Sequence, residues 1–352
     1  MSSTYRTELA DLREHDRELQ GLWARNLDGC DTAAAAWKLA HGYLGNPAGQ
    51  GLTVLLFDGD CGAALGAQGL HERRLHLGRK VLRAACMADF VVDVAHRSLG
   101  PALMLMKRAT EQAGQGFDLV YGLPNRKAAA VCARAGLVKV AQVHRYVKLL
   151  QTRERFASRL PSPAASAASV LADGLLTLAD QGRRWGQAWR WAGVELAWGD
   201  GRAAAFVDAV WARRRAGLLL SERSSALLAW RFDGGRRGGW RLCGVADAAG
   251  TPVGWAVWRP EGNDAEIGDF FVADPMNDAA ASLTVVAAEL RRQGLAGISM
   301  EMLAPPAVEA ALLAAGMSRR DDAMPVFARV APSGVLPQAG HWYLTRFDND
   351  SD

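Results

Sequence analysis

Residues 91–103 of this chain, Val91-Val92-Asp93-Val94-Ala95-His96-Arg97-Ser98-Leu99-Gly100-Pro101-Ala102-Leu103, carry the spacing most open to chemistry. An apolar strand runs into a turn, and a helix starts near Pro101, leaving the pattern R-x-x-G-x-A. A turn of this kind exposes backbone N–H groups at a helix N-terminus, where the partial positive charge favours an anion. Gly100 lets the backbone approach a phosphate closely, and the small Ala102 keeps the helix near it. Pro101 removes one donor but suits the first turn of a helix. A plain strand–helix turn has the same outline. Upstream, Asp89 and Asp93 share one face of the strand by parity. Asp93 is suited to bonding the turn before Arg97.

The elements that must position these residues follow from periodicity. Leu9, Leu12, Leu19, Leu22 and Trp23 predict an amphipathic helix over 8–27. A second helix is expected from Thr32, as N-cap, to about Tyr43, stopped by Gly45-Asn46-Pro47. Strands follow over 53–57 and 61–70, joined by an Asp58-Gly59-Asp60 turn, then over 87–94. A helix over 102–113, a strand over 118–123, a helix over 125–135 and one or two strands over 138–150 complete the half. This order predicts an α/β layered domain.

A second motif lies on those elements. Asn125, Ala128, Cys132, Gly136 and Leu137 follow the strand over 118–123, some 28 residues beyond the first turn. Together the two motifs resemble the GCN5-related N-acetyltransferase (GNAT) superfamily, specifically over 87–150. The resemblance implies a mixed, mostly antiparallel sheet with splayed central strands. It implies acetyl-CoA or another acyl-CoA as co-substrate, no metal, and direct attack by an amine without a covalent enzyme intermediate. The pantetheine arm would bond the backbone around Val92 and Val94. The pyrophosphate would sit on the N–H groups of Arg97, Ser98, Leu99, Gly100 and Ala102 around Pro101, with Asn125 nearby. Asp89 stands where the family often keeps a carboxylate base, with His71 and Glu72 as other residues able to reach the cleft. Cys132 replaces the tyrosine that often protonates the thiolate. The cysteine is either that acid or a small core residue, with Tyr121 and Tyr146 as alternative donors.

The second half repeats the first. Gly316-Met317 stands 180 positions after Gly136-Leu137, and helix 305–315 and strand 266–274 match 125–135 and 86–94 at the same offset. We read two tandem GNAT-like units: an acyl-CoA-binding domain over 1–150, a linker and helix over 151–184, and a degenerate copy over 185–352. Where the first copy has Arg97, Gly100 and Ala102, the second has Asn277, Ala280 and Ser282 beside Asp274 and Asp278, a set that would repel a phosphate. A chain ending near Gln151 would therefore keep every element of the first site. Of 12 tryptophans only Trp23 and Trp37 precede residue 151, so Trp185, Trp189, Trp191, Trp255, Trp258 and Trp342 are either an acceptor platform or core.

Composition bounds the function. The 352 residues carry a net charge of +4 from 41 basic and 37 acidic side chains, a balance that argues against nucleic acid. This also weighs against the two-copy transferases that use aminoacyl-tRNA, which need a basic groove. A non-catalytic acyl-CoA-binding or interaction protein of the same fold is the other alternative. Five cysteines without a C-x-x-C pair argue against a zinc ribbon or disulfide framework and fit a reducing compartment. No apolar run approaches the roughly 18 residues of a membrane span. The expectation is a cytoplasmic N-acyltransferase for a small-molecule amine, with no membrane or nucleic-acid partner.

Overall fold

The computed structural model describes residues 5–59, 62–153, 162–184, 191–236, 238–332 and 334–349. The chain opens with strand β1 (Tyr5–Leu9), which pairs antiparallel with β2 (Leu52–Asp58). The apolar spacing over 8–27 is therefore split: its first residues lie in a strand, and helix α1 begins only at Asp16 (Asp16–Asn26). Leu19, Leu22 and Trp23, at i, i+3 and i+4, bury its inner face. Helix α2 (Thr32–Trp37) is capped by Asp31, not Thr32: the aspartate accepts from the Ala34 N–H at 2.7 Å. It continues as a π-helical segment, Lys38–Leu44. Strands β3 (Ala64–Leu77) and β4 (Lys80–Val92) form a long hairpin. The strand expected over 87–94 thus starts seven residues earlier and ends at Val92, where a 3-10 turn (Val94–His96) takes over. Helix α3 (Leu99–Gly116), strand β5 (Leu119–Gly122), helix α4 (Arg126–Arg134) and strand β6 (Val138–Leu149) complete the half. Asn125 caps α4 by accepting from the N–H groups of Lys127 and Ala128, both at 3.0 Å.

Helix α5 (Ser162–Arg184) extends beyond the helix expected inside the linker. Then come β7 (Ala192–Leu196), α6 (Gly201–Ala212), β8 (Leu219–Ser221), α7 (Ser225–Phe232), β9 (Arg241–Ala246), β10 (Pro252–Glu261), β11 (Asp264–Val272), α8 (Pro275–Arg292), β12 (Gly297–Leu303), α9 (Pro306–Ala314), β13 (Ser318–Val330) and β14 (Trp342–Thr345). The offset of 180 holds to the level of single hydrogen bonds. Gly136 and Gly316 both take φ 90°, and the N–H groups of Leu137 and Met317 return to Cys132 and Leu312, each at 3.1 Å.

Among the described residues one sheet runs through both halves in the order β1-β2-β3-β4-β5-β13-β6-β12-β11-β10-β9-β7. The closing strands are exchanged. β13, from the end of the chain, pairs with β5, while β6, from the first half, pairs with β12. The two meet antiparallel at the middle. Residues 1–150 and 185–352 are consecutive in sequence but do not close separate sheets, so a chain ending near Gln151 would lose the strand beside β5. Phe327 of β13 packs with Val120, Cys132 and Leu137 in the core under α3 and α4. Alternation along a strand sets which face is buried but says nothing about which strand lies beside it. Trp255, Trp258 and Trp342 are core residues, each no more than 2% exposed, and are unavailable as a platform. Trp191 packs against the second-half core, and Trp185 and Trp189 lie outside the described residues.

Candidate active site

Strands β4 and β5 run parallel and pair only over Ala84–Leu119, Ala85–Val120 and Cys86–Tyr121. Beyond Cys86 they diverge, and the outer edge of residues 87–92 has no strand partner among the described residues. A cavity of about 860 Å³ opens in this splay. It crosses the sheet: Met106, Asn125, Ala128 and Cys132 line it on the α3–α4 side, and Trp37, Lys38 and Asp89 on the side of the N-terminal helices. The second half contributes Arg236, Glu301, Met324, Arg346 and Asn349. Arg346 is held at 2.7 Å by Glu266 and at 3.9 Å by Glu301. Sequence reasoning missed Glu301, Met324, Arg346 and Asn349, since none belongs to a local motif.

Asp89 is the focus on the N-terminal side. It is buried at a β-bulge and has φ +52°, the one non-glycine residue with positive φ among those described. Its carboxylate accepts the Tyr43 O–H at 2.7 Å and pairs with Lys38 Nζ at 2.8 Å. Lys38 and Tyr43 are five apart on the π-helical segment, whose i→i+5 bonds stack such residues on one face. Gly69 makes room for the contact, because a Cβ there would meet the Tyr43 hydroxyl at 1.8 Å. His71 Nε2 lies 3.9 Å from the same carboxylate. Burial, with the Arg73, Lys38 and Arg231 charges, pushes the imidazole well below its ordinary range, so it is neutral. Neither His71 nor Glu72 lines the cavity; Glu72 is engaged by Arg83 at 2.8 Å.

On the opposite face, Gln68 is 1% exposed and its Nε2 donates to the carbonyls of Gly69 and Ala88, both at 2.8 Å. Cys132 lines the wall at 3% exposure, and burial pushes its thiol up to about 11. It packs with Val120, Leu137 and Phe327 in the core under α3 and α4, as a small core residue does. Tyr121 is not at the cavity. It points to the other side of β5, donates to the Asp348 carbonyl at 3.1 Å and packs edge-on against Trp342. Burial raises its phenol well above the ordinary range. Tyr146 donates to Glu309 at 3.0 Å, away from this cavity.

The turn before α3 lies at the end of β4. Ser98 is the N-cap of α3 and its side chain makes no capping hydrogen bond to the first-turn N–H groups. A Cβ on Gly100 would meet nothing within 4 Å, Leu99 is 46% exposed, and Pro101 is buried within the helix start. The Arg97 guanidinium folds back, bonding the Val92 carbonyl at 3.2 Å and Asn26 at 3.3 Å. Val92 ends the strand and Val94 stands on the turn, 68% exposed; the cavity-lining strand residues are 87–90. Both valines therefore flank the cavity and do not line it.

The second copy has the same splay, filled from within. β11 and β12 pair up to Ile267–Met300, and where they diverge β14 pairs with β12 at Met302–Thr345 and Leu303–Leu344. Tyr343 donates to the Phe270 carbonyl of β11. Asp269, at the position equivalent to Asp89, is fully buried among Arg223 (3.2 Å), Thr345 (2.6 Å) and Trp255 (2.9 Å). The chain's own C-terminal strand occupies this cleft.

This architecture is shared with solved structures. A probable N-acyltransferase of Enterococcus faecalis aligns with a TM-score of 0.63 at 13% identity, over 93% of this chain and 72% of that one. A GCN5-related N-acetyltransferase of Anabaena variabilis gives 0.62 at 13%, over 92% and 73%. The fold is that of the GCN5-related N-acetyltransferases. An N-myristoyltransferase of Saccharomyces cerevisiae, solved with myristoyl-CoA bound, shares it at 0.52 and 10%, over 94% and 81%. No protein-family model and no curated protein matches the sequence. In this acetyltransferase fold the splay between β4 and β5 is the open cleft, and its repeat between β11 and β12 is closed.

Proposed function

We propose that the chain is an acyl-CoA-dependent N-acyltransferase, with acetyl as the acyl group, acting on a primary amine of a small molecule or amino sugar. The observation that carries this is a cavity crossing the splay, with an unpaired strand edge on one face and a buried carboxylate on the other. The protein fits an acyl-CoA on three counts. The edge of residues 87–92 offers backbone groups to a pantetheine arm, as a sheet edge does to an added strand. The α3 N-terminus offers N–H groups and a positive dipole end to a pyrophosphate. The cavity volume also leaves room for an acceptor beside the thioester.

When bound, acyl-CoA supplies the activated carbonyl; the chain orients the amine and handles its proton. Asp89 would bind the amine on the N-terminal face and take its proton as the N–C bond forms and the thioester C–S bond breaks, with CoA leaving as the thiolate. Lys38 and Tyr43 each meet one oxygen of this carboxylate and fix its orientation in the cavity. The second half closes the acceptor side through Arg346, Glu301 and Asn349. The filled second cleft supports one acyl-CoA per chain. Calorimetry with acetyl-CoA should give a stoichiometry near one, and native mass spectrometry should find a retained CoA or acyl-CoA. Asp89→Asn should leave acetyl-CoA affinity within twofold and lower kcat by roughly 10²-fold or more. A chain that binds no acetyl-CoA defeats the proposal.

A further inference from the structure

Gln68 on β3 holds a buried acceptor that the protein does not satisfy. Its Nε2 is committed to the Gly69 and Ala88 carbonyls, both at 2.8 Å, which fixes the orientation of the amide. That leaves Oε1 buried, with no hydrogen-bond partner among the described residues. A buried acceptor left without a donor destabilises the protein that carries it, so such an atom needs a reason. Its location supplies one. Gln68 lines the cavity in the splay, next to the bulge that displaces β4 at Ala88.

Strand parity gives the face. Gly66 approaches Leu105 of α3, and Leu70 packs with Met106 and Cys132 in the core under α3 and α4. Gln68, between them in alternation, shares that face, whereas Gly69 and His71 meet Tyr43 on the other. Oε1 is thus on the cofactor side of the sheet, away from the acceptor carboxylate Asp89. The Ala88 carbonyl at the bulge is already taken by Nε2, so Oε1 is the acceptor of this amide that remains without a donor among the described residues.

We propose that Gln68 is a positioning residue for the donor substrate: its Oε1 accepts an N–H from a secondary amide of the pantetheine arm. The inference rests on the reading that acyl-CoA binds in the splay. It assigns the arm's amide, not the acyl group or the nucleotide, to this side chain.

Two ligands separate this from a structural role. Acetyl-CoA carries the pantetheine amides, and adenosine 3′,5′-bisphosphate carries the nucleotide without them. Calorimetry on Gln68→Met should show acetyl-CoA bound about tenfold more weakly and adenosine 3′,5′-bisphosphate within twofold of the parent. Equal weakening of both ligands would make Gln68 a scaffold residue, and no weakening of acetyl-CoA would overturn the contact; either result rejects the proposal. Because the Gly69 and Ala88 carbonyls lose a donor in that variant, the unmutated protein provides a second measurement. In glutamine-labelled protein the Gln68 side-chain carbonyl 13C resonance should move on adding acetyl-CoA and stay in place with adenosine 3′,5′-bisphosphate. A resonance unmoved by bound acetyl-CoA rejects the contact while leaving acyl-CoA binding intact. Absence of acetyl-CoA binding by the parent protein instead defeats the functional reading itself.

Discussion

Cys132 shows how surroundings decide what a thiol can do. Nothing in its sequence position separates an acid from a packing residue; in the fold it is 3% exposed, and burial pushes its thiol up to about 11. The folded protein holds this proton more tightly than the unfolded chain, whose thiol titrates near 9. Its contribution is therefore complete below about pH 9 and is lost as pH rises towards 11. Cys132→Ala should lower stability at neutral pH by about 1–2 kcal/mol, flatten part of the alkaline loss, and keep turnover per folded molecule. Urea unfolding at pH 7 and pH 10, alongside kcat, would check this. A folded, CoA-binding but inactive variant would restore the acid role.

Among the elements, the π-helical segment and the start of α3 carry the site. A register of i→i+5 bonds puts Lys38 and Tyr43 together on Asp89, and hydrophobic periodicity gives no notice of it. The start of α3 was legible, because glycine before a helical period has few local uses. It also gives a clean test. Gly100 faces open space, so Gly100→Asp should fold, and a carboxylate in the first helical turn should leave stability unchanged or raise it slightly. The same charge would stand where a pyrophosphate is expected, and acetyl-CoA affinity should fall at least tenfold by calorimetry. Asn277→Asp, an exposed change in the second copy's first helical turn, should leave binding intact. Equal loss from both variants would contradict one open and one closed cleft.

At the level of the whole molecule the exchanged strands govern what can be separated. β13 covers β5 and delivers Phe327 to the core beside Cys132, while β6 sits against β12. A fragment ending at Gln151 exposes the edge of β5, and β6 loses both neighbours, β13 and β12. Such edges template aggregation. The fragment should be insoluble or lack a cooperative unfolding transition by circular dichroism, and should not bind acetyl-CoA. A soluble fragment that binds it would show that the exchange is dispensable. The C-terminal segment links the two clefts as well: β14 fills the second, and Arg346 and Asn349 just beyond it line the first.

The sequence by itself determined the local grammar of this protein. The turn before α3, the Asn125 cap, the glycine that ends each equivalent helix and the 180-residue repeat all depend on neighbours within a few positions. The resemblance pointed to Asp89, and the fold places that residue at the cavity. Tertiary structure decided the rest. Tyr121 went to the core because β5 presents alternate residues to opposite faces, and only packing says which face holds the cavity. The second-half tryptophans Trp255, Trp258 and Trp342 went inside for the same reason. The partner of β5, the strand that fills the second cleft and the Gln68 acceptor all depend on contacts between residues far apart in the chain. Short-range patterns constrain conformation, but the pairing of distant strands is selected by how their buried faces fit.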